Sequence, residues 1–143
     1  MSIDIPRETA LRILYEINKN EAYSNISLNK YLNRKSLKEI DKAFITELVY
    51  GTLKWQLTID WIISQFSNIK LKKLPDWILN ILRIGVYQLL FMDKVPASAA
   101  CSESVNLAKK YGHAGSVRYV NGVLRNIERG KGDIKFPEKD KDI

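Results

Sequence analysis

Apolar residues recur along this chain at steps of three and four positions, the spacing that places them on one face of an α-helix. The longest instance is the series Ile45, Leu48, Thr52, Trp55, Ile59, Ile62 and Phe66. No stretch alternates polar and apolar residues convincingly, so no sheet is predicted. The pattern therefore predicts an all-α fold, a bundle of about seven helices around one buried central helix.

Residues that favour helix ends divide this pattern into elements. A first helix is predicted from Pro6 to about Lys19, because proline suits a first turn. Asp41 is a candidate N-cap for the long apolar series, and Gly51 within that series indicates that a neighbour approaches closely. Residues 76–92 are apolar nearly all round, which predicts the central helix.

The last third of the chain predicts two further helices. Ser98 is a candidate cap for a helix that reaches about Tyr111, and Gly112 suits a left-handed residue just past its end. The final helix is predicted over residues 116–129. Because the sequence after Gly132 is polar and aperiodic, we expect a helical domain over residues 1–131 and the start of a linker over residues 132–143.

The composition is that of one globular domain, with 143 residues, of which 45% are hydrophobic and 27% charged. The N-terminus lacks the apolar segment of a secretory signal. The longest apolar run is interrupted by Asn80, Arg83 and Gln88 and is shorter than the ~20 residues that span a bilayer. We therefore expect a soluble cytoplasmic protein that does not bind a membrane.

No catalytic or metal-binding constellation is present in the sequence. Cys101 is the single cysteine and lies on an apolar helix face, so we predict a buried side chain and no cysteine-based zinc site. His113 is the single histidine and is predicted to be polar surface. We accordingly predict no catalytic residue, no metal and no cofactor within this chain.

Basic residues cluster on one side of the final helix. The net charge is +7, which favours a polyanionic partner. Arg118, Arg125 and Arg129 share one helical face, while residues 105–131 carry six Lys and Arg side chains against one carboxylate. Guanidinium groups match phosphate geometry, so we predict that these three arginines and Lys110 contact RNA. The alternative is a solvated charged face.

Tyr119 adds an aromatic ring to this region. It follows Arg118 directly, and an aromatic ring can stack on an unpaired RNA base, so Tyr119 is a predicted RNA contact. The alternative is a ring partly buried against the helical core.

The first helix carries two further arginines. Arg12 has Glu8 and Glu16 one turn away on either side, which predicts ion pairs on the helix surface. Arg7 has Leu11 at the corresponding position and no such partner. We therefore select Arg7 over Arg12 as an RNA contact.

Several short segments together resemble the NusB-type RNA-binding domain. They are RETALRILY at 7–15, DKAF at 41–44, LVYG at 48–51, LRIGVY at 82–87 and VNGVL at 120–124. The similarity covers roughly residues 5–130. It implies an all-helical fold that binds RNA through its first helix and the region of its last two helices.

Within this family, three segments are most similar to the N-terminal domain of Sun/RsmB-type methyltransferases, which make 5-methylcytosine in 16S ribosomal RNA. They are LVYGTLKW at 48–55, YQLLFMDKVP at 87–96 and NGVLR at 121–125. The resemblance implies two partners, 16S rRNA and a C-terminal catalytic domain. That domain would hold S-adenosylmethionine, and it lies beyond residues 132–143.

Two alternatives stay open. One is a stand-alone NusB-type transcription antitermination factor, whose partner is a small-subunit ribosomal protein. The other is a helical docking module that buries its arginine face against its own catalytic domain and has no RNA affinity alone. Arginine is common at both kinds of interface.

Overall fold

Seven α-helices form the part of the protein that the structure describes. The computed structural model describes residues 3–21, 23–33 and 37–136. The helices are α1 Ile5–Asn20, α2 Ser24–Leu32, α3 Glu39–Lys54, α4 Gln56–Phe66, α5 Asp76–Phe91, α6 Ala97–Tyr111 and α7 Ala114–Gly130. Short 3-10 helices occupy Leu71–Lys73 and Lys131–Asp133, and no strand occurs within these ranges. The predicted all-α fold is confirmed.

Helix α5 is the centre of the bundle. It contacts α1, α3, α4, α6 and α7, and its residues from Asn80 to Leu89 are buried without interruption. A surrounding layer of helices explains why this segment is apolar nearly all round. At Gly51 of α3, an added Cβ would overlap the ring of Tyr87, so the close approach expected there is confirmed.

Several predicted helix boundaries differ from the structure. Asp41, the candidate N-cap, lies inside α3, which begins at Glu39 after Lys38. The long apolar series is split at Trp55, whose ring stacks on Phe91 of α5 with centroids 5.1 Å apart. Ser98 lies inside α6, which begins after Pro96, and the helix start receives no side-chain cap. Gly112 has φ −134° and is not left-handed; an added Cβ would instead lie 2.7 Å from Cβ of Ser116.

A polar network anchors α4 and α1 to the central helix. Arg83 donates from Nε and Nη2 to the two carboxylate oxygens of Asp60, each at 2.8 Å. Asn80 accepts from Arg83 at 3.3 Å and from Asn18 of α1 at 3.1 Å. These bonds satisfy the charge of Arg83, whose burial would otherwise be strongly unfavourable.

An aromatic stack joins three helices on another side. Trp77 of α5 lies between Tyr15 of α1, at a centroid distance of 3.7 Å, and Tyr111 of α6, at 4.4 Å. The three rings are nearly parallel, with interplanar angles of 3° and 26°. The first helix is thereby held to residues that come much later in the chain.

The segment after α7 lies against the bundle. Ile134 is half-buried, and the ring of Phe136 contacts Phe91 edge-on with centroids 6.2 Å apart. The predicted linker over residues 132–143 falls mostly outside the described residues, and its role stays a prediction. Over the described ranges, every helix is too short or too polar to cross a bilayer.

Candidate nucleic-acid interface

The final helix starts from a cap that the sequence analysis did not identify. His113 accepts a hydrogen bond at Nδ1 from the backbone N–H of Gly115 at 3.1 Å, and its own N–H donates to Oγ of Ser116 at 3.4 Å. This reciprocal pair satisfies amide groups that the first turn leaves unpaired. His113 is exposed, as expected, but it also fixes where α7 begins.

The inner side of α7 packs into the core and so determines which residues face outward. Val120, Leu124 and Ile127 are fully buried. Arg118, Arg125 and Arg129 are therefore exposed on another side. The helical spacing of the two sets predicted this division.

Each arginine of α7 lacks a carboxylate partner among the described residues. Arg125 donates to Oδ1 of Asn121 at 3.3 Å, and Arg129 donates to Oδ1 of Asn126 at 2.7 Å. Glu128, the carboxylate of this helix, pairs with Lys131 at 3.3 Å. The positive charge of the three guanidinium groups is accordingly not compensated within the helix. We call these three residues the basic face.

A cleft of about 410 Å³ lies where α6 turns into α7. Lys109 and Arg118 line it together with His113, Ala114 and Val117. Two cationic side chains on one cleft form a surface that favours an anionic group. Lys109 is one of the six cations of residues 105–131, but it is not among the predicted RNA contacts.

Lys110 is partly engaged within the fold. Its Nζ lies 2.5 Å from Oε2 of Glu8, and the hydroxyl of Tyr111 donates to the same oxygen at 2.7 Å. Partial burial raises the pKa of the Glu8 carboxyl, but these two hydrogen bonds and the positive charges of Lys110 and Arg12 together outweigh burial, so the pKa lies below its usual value. Burial and the bond to Glu8 raise the pKa of Tyr111 to about 12.

Arg7 was selected over Arg12 because no partner was expected for it, and the structure contradicts that expectation. Arg7 is only 9% exposed; its Nε donates to Gln88 and its Nη1 to Asp4, each at 2.7 Å. Its guanidinium also lies over the ring of Phe44, 5.1 Å from the centroid. The structure thus gives Arg7 contacts that hold α1 to the bundle.

Arg12 is the exposed arginine of α1. The ion pairs expected with Glu8 and Glu16 do not form, because Lys110 pairs with Glu8 and Lys30 pairs with Glu16. Arg12 makes no hydrogen bond or ion pair with any residue that the structure describes. It lies one helical turn from Glu8 and therefore near Lys110.

The sequence similarity to known proteins extends over helices α1 to α7. A family model described as "NusB family" matches residues 4–129. The chain belongs to the NusB family. The resemblance noted in the sequence is confirmed.

Relatives of this NusB-family chain include two kinds of protein. It is 39% identical over 123 residues to the "Probable ribosomal RNA small subunit methyltransferase B" of Bacillus subtilis, covering 86% of this chain and 27% of that protein. It is 33% identical over 125 residues to the "Transcription antitermination protein NusB" of Ruminiclostridium cellulolyticum, covering 87% and 86%. The chain thus spans about a quarter of the methyltransferase relative.

Two solved structures share the fold. T. maritima NusB superposes with a TM-score of 0.80 at 24% identity, covering 90% of this chain and 93% of that one. A crystal structure of the antitermination factors NusB and NusE in complex with dsRNA superposes with a TM-score of 0.80 at 25% identity, covering 87% and 94%.

In this NusB-family fold, the predicted RNA contacts differ in their exposure to solvent. Arg118, Arg125 and Arg129 are exposed, Lys110 is half-exposed, and Arg7 is buried. Tyr119 is partly buried, with its hydroxyl hydrogen-bonded to Oγ of Ser67, as the alternative interpretation described. Cys101 is fully buried, and burial raises the pKa of its thiol.

Proposed function

We propose that this chain is the RNA-binding domain of a 16S rRNA cytosine-C5 methyltransferase. The basic face carries this proposal, because three exposed guanidinium groups without carboxylate partners suit a phosphate backbone. The NusB fold supports it, since NusB forms a complex with NusE and dsRNA in a solved structure. The domain would hold the substrate in the cytoplasm while a separate catalytic domain holds S-adenosylmethionine.

The proposed RNA surface extends beyond the basic face. Lys109 shares a cleft with Arg118. Lys110 follows Lys109 on α6 and pairs with Glu8 of α1, which lies one turn from the exposed Arg12. Arg7 is left out because its guanidinium is engaged with Asp4 and Gln88. Tyr119 stays a proposed contact only through the exposed part of its ring.

The triple variant Arg118→Glu, Arg125→Glu and Arg129→Glu tests the basic face. If each lost contact contributes about 1 kcal/mol, affinity for a 16S rRNA fragment falls roughly 100-fold at low salt. Fluorescence anisotropy measures the affinity, and circular dichroism verifies that the variant folds. The slope of log K against log salt falls by about 2 for single-stranded RNA.

A second triple variant controls for net charge. Lys38→Glu, Lys54→Glu and Lys94→Glu make the same change in charge at exposed sites outside α6 and α7. We expect this control to keep most of its RNA affinity. Equal affinity of the folded arginine variant and the unmodified chain would refute RNA binding by the basic face. No RNA affinity of the unmodified chain would favour the docking module.

The second candidate function is a stand-alone antitermination factor. One observation favours it: the similarity to the R. cellulolyticum NusB extends over 86% of that protein. Its partner would then be a small-subunit ribosomal protein. The size of the native protein in a lysate of its source organism separates the two candidates. A band well above 16.5 kDa supports the methyltransferase, and a band at 16.5 kDa supports the antitermination factor.

A further inference from the structure

The outward side of α4 is almost free of charge. The helix QLTIDWIISQF contains one charged residue, Asp60, and its carboxylate is turned inward to Arg83. On the outward side, Leu57 is 86% exposed and Trp61, one turn later, is 38% exposed. Exposed apolar residues rimmed by uncharged polar ones are typical of protein interfaces, whose cores are depleted of charged residues.

The end of the described chain runs along this helix. Gly130, at the end of α7, lies beside the ring of Phe66 at the end of α4. Ile134 and Lys135 then line a groove of about 420 Å³ with Trp61. Phe136, which is 47% exposed, reaches Phe91, whose ring stacks on the residue that precedes α4. The chain thus follows α4 from its last residue back toward its first.

We infer that the outward side of α4, formed by Leu57 and Trp61 and continued by Phe136, is the docking surface for the catalytic domain that follows this one. The inference rests on the proposed function, because only a methyltransferase has such a domain. The path of residues 131–136 brings the described chain to this surface at Phe136. The B. subtilis relative has a chain more than three times as long as the region that matches, so it has ample sequence for such a domain.

The accessibility of position 57 tests the inference. Leu57→Cys is introduced into the 143-residue chain and into the full-length protein that the source gene encodes. Both are treated with N-ethylmaleimide, and mass spectrometry follows labelling of the tryptic peptide 55–70. Cys101 is fully buried and serves as an internal standard for an intact fold. Ile40→Cys, at a position on α3 that is 76% exposed, is the matched control.

We expect the Leu57→Cys variant to be labelled at least tenfold more slowly in the full-length protein than in the 143-residue chain, while Ile40→Cys changes less than twofold. Equal labelling rates at position 57 in the two proteins would overturn the assignment of this docking surface and leave the proposed function intact. Protection within the 143-residue chain that increases with concentration would assign the surface to a second copy and also overturn it. A native protein that ends near residue 143 would refute both proposals.

Discussion

Helices α4 and α7 are neighbours that both pack against α5, yet they present opposite chemistry to the outside. Both bury isoleucines, Ile62 of α4 and Ile127 of α7 among them. The outward side of α4 is apolar and uncharged, whereas that of α7 carries three arginines. Because packing constrains only the inner side, the outward residues are free to differ. This difference is what the two proposals require, a protein surface for α4 and a polyanion for α7.

The largest expected effect on stability comes from Asp60, the charged residue of α4, whose carboxylate is turned inward. Asp60→Ala leaves the guanidinium of Arg83 buried without its carboxylate, so we expect the free energy of unfolding to fall by about 3 kcal/mol. Urea denaturation followed by circular dichroism measures this change. Asp76→Ala is the control, because its ion pair with Lys19 is about half-exposed and should contribute much less than the buried pair. A loss for Asp60→Ala no larger than that of the control would show that α4 does not need this pair.

An intermediate effect is expected at Glu8, which bonds to Lys110 and Tyr111. Glu8→Gln removes the carboxylate that Lys110 and Tyr111 share, and we expect a loss of about 1 kcal/mol in unfolding free energy at pH 7. Removal of this carboxylate also frees Lys110, so affinity for the rRNA fragment should rise about threefold, which corresponds to less than 1 kcal/mol. Unchanged RNA affinity would exclude Lys110 and α1 from the RNA surface.

The same variant has a defined pH dependence. Because the folded-state pKa of Glu8 is lowered, its contribution is present above its ordinary value of 4.5 and is lost as the pH falls through the folded pKa. The unmodified chain should therefore lose this stability on acidification below about pH 4.5, and Glu8→Gln should lack this part of the loss. Parallel stability curves for the two proteins between pH 5 and pH 3 would contradict the assignment.

The smallest expected effect concerns the outward side of α4. In the isolated chain, Leu57→Ala should change the free energy of unfolding by less than about 0.5 kcal/mol, because the side chain is mostly in solvent. The matched substitution Ile62→Ala, on the inner side of the same helix, should lower it by about 3 kcal/mol. Thermal unfolding of the two variants would give this contrast, and a large loss for Leu57→Ala would mean that this residue packs within the domain.

The helical periodicity was sufficient to predict the all-α fold class and the outward position of the three arginines. Both depend on positions within one helix, such as the core residue Leu124 and the exposed Arg125, whose directions follow from 3.6 residues per turn. The burial of α5 was predicted for the same reason, because an apolar surface all round requires helices on every side.

Contacts between distant segments could not be predicted in this way. Gln88, the partner of Arg7, lies in α5, far from α1 in sequence. Asp4 was a local signal that was missed, since an acidic N-cap can also pair with the arginine three residues later. The split at Trp55 lacks a proline or glycine at the break and depends on stacking against Phe91. Intrinsic preference yields to tertiary packing at such sites.

The stack of Tyr15, Trp77 and Tyr111 has a consequence for biosynthesis. Roughly sixty residues separate Tyr15 from Trp77, so at 5 to 20 residues per second the ribosome needs about 3 to 12 s before Trp77 has even been made. During that interval α1 has left the ribosome without the rings that hold it, and Tyr111 arrives later still. The aromatic contacts of α1 therefore form only after α5 and α6 have been made, whereas its packing against α3 is available earlier.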